Sequence, residues 1–352
     1  MFSLDTNAVE SGGYEFKLFK KANGEGDLYY LATKADKDDA TNPTLPEDKP
    51  TITTTADAAG NALLSSYLIN FSEIQSLSDR LRNANEDNTG AWGKIYAGKF
   101  DSFGSDSLNG FDLNYSAIQL GVDKQFALTE HANIVHGFSA QYTDGSIDYS
   151  RGGDGNIKSY SFAYYLSFFN ADNFYNDAIF KFSRMKSNFY VQDTAGMSVS
   201  GDAMMNVYSF SNELGKKIYF NQDKTGFNIN PFGQVILSKF SSSNYSASNG
   251  LNVHLDSRQS VIGKIGSYFS YDVDSNSKLY AKAAYVKEFN KGTQFYLNAS
   301  DESLTMNGHW MEYQVGTKFN ITDNQEINLS GTFLAGDKFN QKQLSLSYRY
   351  SF

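Results

Sequence analysis

Four histidines, His131, His136, His254 and His309, are the side chains best suited to acid–base or hydrolytic chemistry. His254 falls in a serine-rich stretch, Ser241 to Asp256, where a Ser–His pair for acyl hydrolysis could form. No serine stands in a Gly-x-Ser-x-Gly turn, the strained elbow that exposes a nucleophile in many hydrolases. No His-x-x-x-His pair occurs and cysteine is absent, which removes helix-borne zinc sites and thiolate clusters. The run Arg151-Gly152-Gly153-Asp154-Gly155-Asn156 offers oxygens to calcium, but Gly-Asp-Gly is more often a plain turn. Solvated loop histidines are the simpler reading. The sequence therefore predicts no catalytic residue, no metal and no cofactor.

The elements that would position such residues point elsewhere. The last strand alternates Leu344, Leu346, Tyr348, Tyr350 and Phe352 with Ser345, Ser347, Arg349 and Ser351, up to a terminal aromatic. One apolar and one hydrophilic face suit a transmembrane β-barrel, with lipid outside and water or polar side chains inside. A half-buried strand of a soluble sandwich would alternate in the same way. The bulk composition is compatible with a barrel. Mean hydropathy is -0.46 and there is no run of about 18 apolar residues, so no membrane-spanning helix is expected. Barrels escape that test because only alternate residues meet lipid. Gly 29, Tyr 24 and Phe 28 against Pro 4 fit a strand-rich chain with aromatics to spare for interfacial girdles. A net charge of -9 argues against nucleic acid as a partner.

Four zones follow along the chain of 352 residues. Residues 1–34 read as a small β module: Tyr14, Phe16 and Leu18 alternate, then a turn at Asn23 to Asp27 leads to Leu28-Tyr29-Tyr30-Leu31. Residues 35–55 form a linker, with a charge run and then Pro43, Pro46 and Pro50. Residues 56–90 hold one helix and its connection. Leu64, Tyr67, Leu68, Phe71, Ile74, Leu77 and Leu81 recur at helical spacing, with Thr54 or Thr55 as the expected cap. At about 1.5 Å per residue the helix is roughly 40 Å long, enough to cross a bilayer.

Residues 91–352 read as twelve strands, near 91–101, 111–124, 132–148, 157–169, 174–191, 204–220, 227–239, 259–273, 278–289, 308–321, 326–336 and 343–352. Connections after the even strands are short. Those after the odd strands are mostly longer, as in Ser241 to Asp256 and Asn290 to Asn307, which suits periplasmic turns and outer loops. In the strand near 308–321, Met311, Tyr313, Val315, Phe319 and Ile321 would face lipid while Glu312, Gln314, Lys318 and Asn320 face the lumen. Pro231 is awkward in a closed ladder and is expected near its strand's start. The second and fifth strands do not keep one phase, which predicts a bulge or an extension beyond the membrane. The fold class expected is all-β: a 12-stranded antiparallel transmembrane β-barrel with an amino-terminal amphipathic helix in its lumen. Eight strands are filled by their own side chains and sixteen leave a channel, so twelve should hold one helix. The alternative is that Leu64 to Leu81 packs on a soluble core.

The order of β module, linker, amphipathic helix, strands and terminal Phe352 resembles the carboxyl-terminal translocator domain of type Va autotransporters, the pertactin-like and adhesin-type family. Gly90-Ala91-Trp92-Gly93-Lys94-Ile95-Tyr96 is similar to that family's first barrel strand and Ala117 to Asp123 to its second. Gly13 to Leu18 with Leu28 to Leu31 resembles the last turn of a passenger β-helix. The resemblance implies a Gram-negative outer-membrane barrel that delivers an amino-terminal passenger to the cell surface, with the helix then plugging the pore. It implies that residues before the helix are at the surface. It implies outer-membrane lipid, the outer-membrane assembly machinery, periplasmic chaperones and the chain's own passenger as partners, and a monomer. Tyr348, Tyr350 and Phe352 match the family's carboxyl-terminal assembly signal. Export requires a leader, and Met1-Phe2-Ser3-Leu4-Asp5 is not one, so the chain reads as part of a longer precursor. Some members cut themselves at an Asn-Asn pair in the helix; here the nearest candidates are Asn70-Phe71, Asn83-Ala84 and Asn85-Glu86, so self-cleavage is not expected. An outer-membrane porin or a phospholipase-like barrel enzyme with a plugged lumen is the alternative.

Overall fold

The computed structural model describes residues 8–20, 29–33, 51–83, 89–104, 108–221, 225–290, 292–298, 300–304 and 307–352. Most of the expected linker, the turn at Asn23 to Asp27, and Asn85 and Asn88 lie outside these residues. In chain order the elements are β1 (Val9–Ser11), β2 (Tyr14–Lys20), β3 (Tyr29–Ala32), α1 (Thr54–Asn83), β4 (Gly90–Ser102), β5 (Phe111–Thr129), β6 (Ala132–Tyr149), β7 (Asp154–Asn170), β8 (Phe174–Gln192), β9 (Ser198–Lys216), β10 (Ile218–Tyr219), β11 (Phe227–Phe240), β12 (Ser243–Ser246), β13 (Asn252–Leu255), β14 (Arg258–Asp272), β15 (Ser277–Glu288), β16 (Thr293–Leu297), β17 (Ser300–Leu304), β18 (Gly308–Thr322), β19 (Gln325–Gly336) and β20 (Phe339–Ser351).

Twelve long strands close on themselves in the order β4-β5-β6-β7-β8-β9-β11-β14-β15-β18-β19-β20, all pairs antiparallel. The seam joins β20 to β4, from Phe339↔Ser102 to Ser351↔Gly90. Closure leaves no barrel edge unpaired, which a lipid surroundings demands of every backbone amide. β1, β2 and β3 form a separate small sheet, and β12, β13, β16 and β17 form another at the loop end of the barrel. Pro231 pairs across to Ser267, and the β11–β9 ladder begins at Phe232. The proline therefore sits before the point where its missing N–H would break that ladder.

One expectation needs correction. The loops after β6, β8 and β19 are tight, at 150–153, 193–197 and 337–338, because β7, β9 and β20 begin at Asp154, Ser198 and Phe339, earlier than the alternation suggests. Of the two readings of the phase breaks in the second and fifth strands, a bulge or an extension beyond the membrane, the ladders favour the extension. In β8, Phe180 and Phe182 face out while Lys181 and Ser183 are buried; further on, Arg184 and Lys186 face out while Met185, Phe189 and Val191 are buried. β5 does the same, with Ile118, Leu120 and Val122 exposed toward the turn end and Phe111, Leu113 and Tyr115 buried toward the loop end. The β7–β8 register runs unshifted through the change, and the β5–β6 register shifts only at Ala127/Thr129, near the turn. The backbone alternation is intact; the medium on each side has changed. Near the turns the outer face meets lipid and the inner face is polar. Near the loops the outer face meets water and the inner face is a dry core.

The sheet's glycines let aromatic rings lie flat on the wall. A Cβ on Gly316 would fall 2.3 Å from Tyr280 Cζ, and one on Gly121 2.5 Å from the Trp92 ring.

Candidate functional site: a helix sealed in the barrel lumen

α1 has 30 residues, about 45 Å at 1.5 Å per residue, and runs the height of the barrel. Thr53, rather than Thr54 or Thr55, caps it: the Ala56 N–H donates to Thr53 Oγ1 at 3.0 Å. Every position from Thr55 to Leu81 is buried. The apolar stripe therefore does not divide core from solvent. The helix is instead divided along its length, to match the two halves of the lumen.

The loop-end half is a hydrophobic core. Leu64, Tyr67, Leu68, Phe71 and Ile74 pack in one cluster with Phe100, Met185, Phe189, Phe240 and Trp310. Phe71 meets Trp310 edge-on at 5.3 Å between centroids, and Trp310 meets Phe339 at 5.0 Å. Gly60 makes room for the first loop, since a Cβ there would lie 2.6 Å from Leu108 Cδ2. Asp57 accepts the Asn109 N–H at 2.6 Å and ties the first helical turn to the same loop.

The turn-end half is ionic. Lys181 Nζ pairs with Glu73 Oε2 at 2.6 Å and donates to Asn70 Oδ1 at 2.8 Å. Lys94 Nζ donates to the Ser76 carbonyl at 2.8 Å. Lys282 bridges Asp79 and Glu312, and Lys264 pairs with Glu312 at 2.6 Å. Arg80 pairs with Asp123, with its guanidinium 4.5 Å above the Trp92 ring, while Arg82 meets Asp177 at 2.8 Å. The Trp92 indole N–H donates to Tyr165 Oη at 2.9 Å and to Asp123 at 3.2 Å. Leu77 and Leu81 pack with Trp92, Tyr165 and Ile179. In this turn-end half each buried charge on the helix faces an opposite charge from the wall, as sealing it away from water requires.

The seven apolar helix positions singled out in the sequence thus meet in the lumen, five in the outer core and Leu77 and Leu81 among the turn-end aromatics. The clamp of Glu73, Asp79, Arg80 and Arg82 was not singled out. Its signal is the inward-facing charges of its wall partners, Asp123, Asp177, Lys181 and Lys282, which need partners inside. Trp92 and Asp123, from the two strand motifs, converge on Arg80. Tyr348, Tyr350 and Phe352 lie exposed on the outer face at the turn end. The histidines are spread apart. His131 is in a turn, His254 Nε2 lies 3.0 Å from Asp256, and His309 is 3.7 Å from Asp337. Arg151 to Gly153 lie in the hairpin turn and Asp154 to Asn156 open β7, and no metal-holding cluster is found among the described residues.

The family model described as autotransporter β-domain matches residues 91–332. A probable autotransporter of Escherichia coli K12, YcgV, is 36% identical over 306 residues, 85% of this chain and 32% of that protein. The chain thus spans about a third of that relative. The β-domain of the Bordetella autotransporter BrkA superposes with a TM-score of 0.63 at 22% identity, covering 76% of this chain and 100% of that one. The translocator domain of NalP from Neisseria meningitidis gives 0.66 at 13% identity, covering 85% and 100%. Both share the fold of the sealed barrel.

Proposed function

We propose that this chain, which belongs to the autotransporter β-domain family, is the outer-membrane translocator of a Gram-negative cell, delivering its amino-terminal passenger to the surface and keeping α1 as the plug. The observation that carries this reading is the direction of α1. Its amino terminus meets Asn109 at the loop end and its last turn meets Asp123 and Asp177 at the turn end. The chain before Thr54 therefore leaves on the loop side, as a delivered passenger would. Residues 1–34 are the base of that passenger, 35–55 its linker, 56–90 the pore helix and connection, and 91–352 the barrel. A diffusion porin needs an open lumen, and this one is filled by a helix buried along its length. We propose no chemistry for the barrel.

Tyr348, Tyr350 and Phe352 would present aromatic side chains to the assembly machinery. Their support is exposure on the strand that closes the barrel. Periplasmic chaperones would hold the unfolded chain, and a monomer suffices because the barrel is closed.

Topology tests the function. An epitope placed before Met1, behind an export signal, should be lost when protease is added to intact cells. An epitope protected until the outer membrane is broken would overturn the translocator reading.

A further inference from the structure

We infer that the loop end of the barrel is a docking seat for the base of the passenger, with Arg151 as its latch. The inference rests on reading β1–β3 as that base. Three separate loops hold the small sheet. From the loop after β6, Arg151 Nη2 pairs with Glu15 Oε1 of β2 at 2.5 Å, and Nη1 of the same guanidinium donates to the Ile52 carbonyl. From the loop after β8, the Thr194 N–H donates to Glu10 Oε1 at 2.9 Å. From the loop sheet after β15, Glu302 Oε1 accepts the Tyr14 hydroxyl at 2.7 Å, and Leu297 lies so close that a Cβ on Gly13 would fall 2.5 Å from its Cδ1. Glu15 is 8% exposed, so its carboxylate is committed to this contact. Burial also raises the Glu10 carboxyl above its ordinary value, opposed by the Thr194 N–H.

The latch depends on the helix. Ile52 stands beside the Thr53 cap, and residues 51–53 are clasped to the sheet by Glu15 N–H to Thr51 O at 2.9 Å and Thr53 N–H to Gly13 O at 2.8 Å. One planar fork therefore binds the sheet through Glu15 and the entry to α1 through Ile52, and reaches both only when α1 is home. Arg151 is aimed by a turn with Gly152 at φ +96° and Gly153 at φ +89°; a Cβ on Gly153 would also lie 2.4 Å from the Tyr190 carbonyl. The partner is the chain's own passenger base, and docking follows plugging.

The test is hydrogen exchange of the peptide spanning 9–20 in the purified, folded whole chain, with the gel shift of the unheated barrel as the folding control. Arg151→Glu and Glu15→Arg should each speed exchange roughly tenfold, the loss of about one charged hydrogen bond. The double reversal should restore part of the protection, through the swapped ion pair, since a carboxylate at 151 cannot donate to the Ile52 carbonyl. Gly153→Ala, which keeps Arg151 but misaims it, should speed exchange as well. Unchanged exchange in both charge reversals, with the barrel folded, would overturn the latch, as would a double reversal no better protected than the singles. Surface exposure of the amino-terminal epitope reports the translocator reading separately: an exposed epitope with no latch effect leaves that reading standing, and a periplasmic one removes it.

Discussion

The helix–wall pair Glu73–Lys181 measures how completely the lumen is sealed. Glu73 is fully buried and the Lys181 side chain is 3% exposed, with 2.6 Å between charged atoms. Glu73→Gln leaves a buried ammonium whose remaining partners are Asn70 Oδ1 at 2.8 Å and Ser183 Oγ at 2.7 Å. Lys181→Met leaves a carboxylate holding the Thr143 hydroxyl at 2.9 Å. Removing one member of a buried pair costs about 3–5 kcal/mol, and these surviving partners place each single change near 3. Replacing both removes the uncompensated charge, so the double variant should lose only about 1–2 kcal/mol. The cycle then gives a coupling of about 4 kcal/mol, far beyond the ~0.5 kcal/mol expected of independent sites. Equilibrium urea unfolding of the detergent-folded barrel supplies the four free energies. Single changes below about 1 kcal/mol with an additive double would refute the reasoning, because water would then be screening the pair and the helix would not be sealed.

Two further outcomes follow from the outer face. Val315 is 65% exposed in the lipid belt of β18, so Val315→Arg should destabilise the lipid-inserted barrel by about 2–4 kcal/mol. Asn114→Arg is also outward in β5 but beyond the phase change, and should cost less than about 0.5 kcal/mol; equal losses at both sites would remove the boundary between lipid and water drawn here. Deleting Phe352, 73% exposed at the end of the closing strand, should lower the yield of assembled barrel in cells far more than deleting a mid-loop residue. Equal yields would leave Phe352 as packing alone.

The strands were legible because a period of two survives any environment. Tyr313, Val315, Phe319 and Ile321 are exposed, and Glu312, Gln314 and Lys318 are buried, as the alternation in β18 requires. The helix was legible from Leu64 to Leu81 for the same kind of reason. What a single sequence hides is the identity of the medium on each face. The pairing of Glu73, Asp79 and Arg80 is not legible because their partners, Lys181, Lys282 and Asp123, come from strands distant along the chain. The loss of phase in β8 reads as a defect if the outside is assumed to be lipid throughout. It is the expected pattern once the strand leaves the bilayer. Outside the membrane, Arg184 and Lys186 are hydrated, and Met185, Phe189 and Val191 can bury their surface only by turning inward onto α1. A phase inversion with no register shift therefore marks the membrane boundary. It also explains the plug: the barrel's outer half packs like the interior of a water-soluble protein, and α1 supplies the centre of that core. Withdrawing the helix would expose Leu64, Leu68 and Phe71 together with the wall that covers them, at about 25 cal/mol per Å² of apolar surface, so the pore stays closed through the same burial that folds the barrel's outer half.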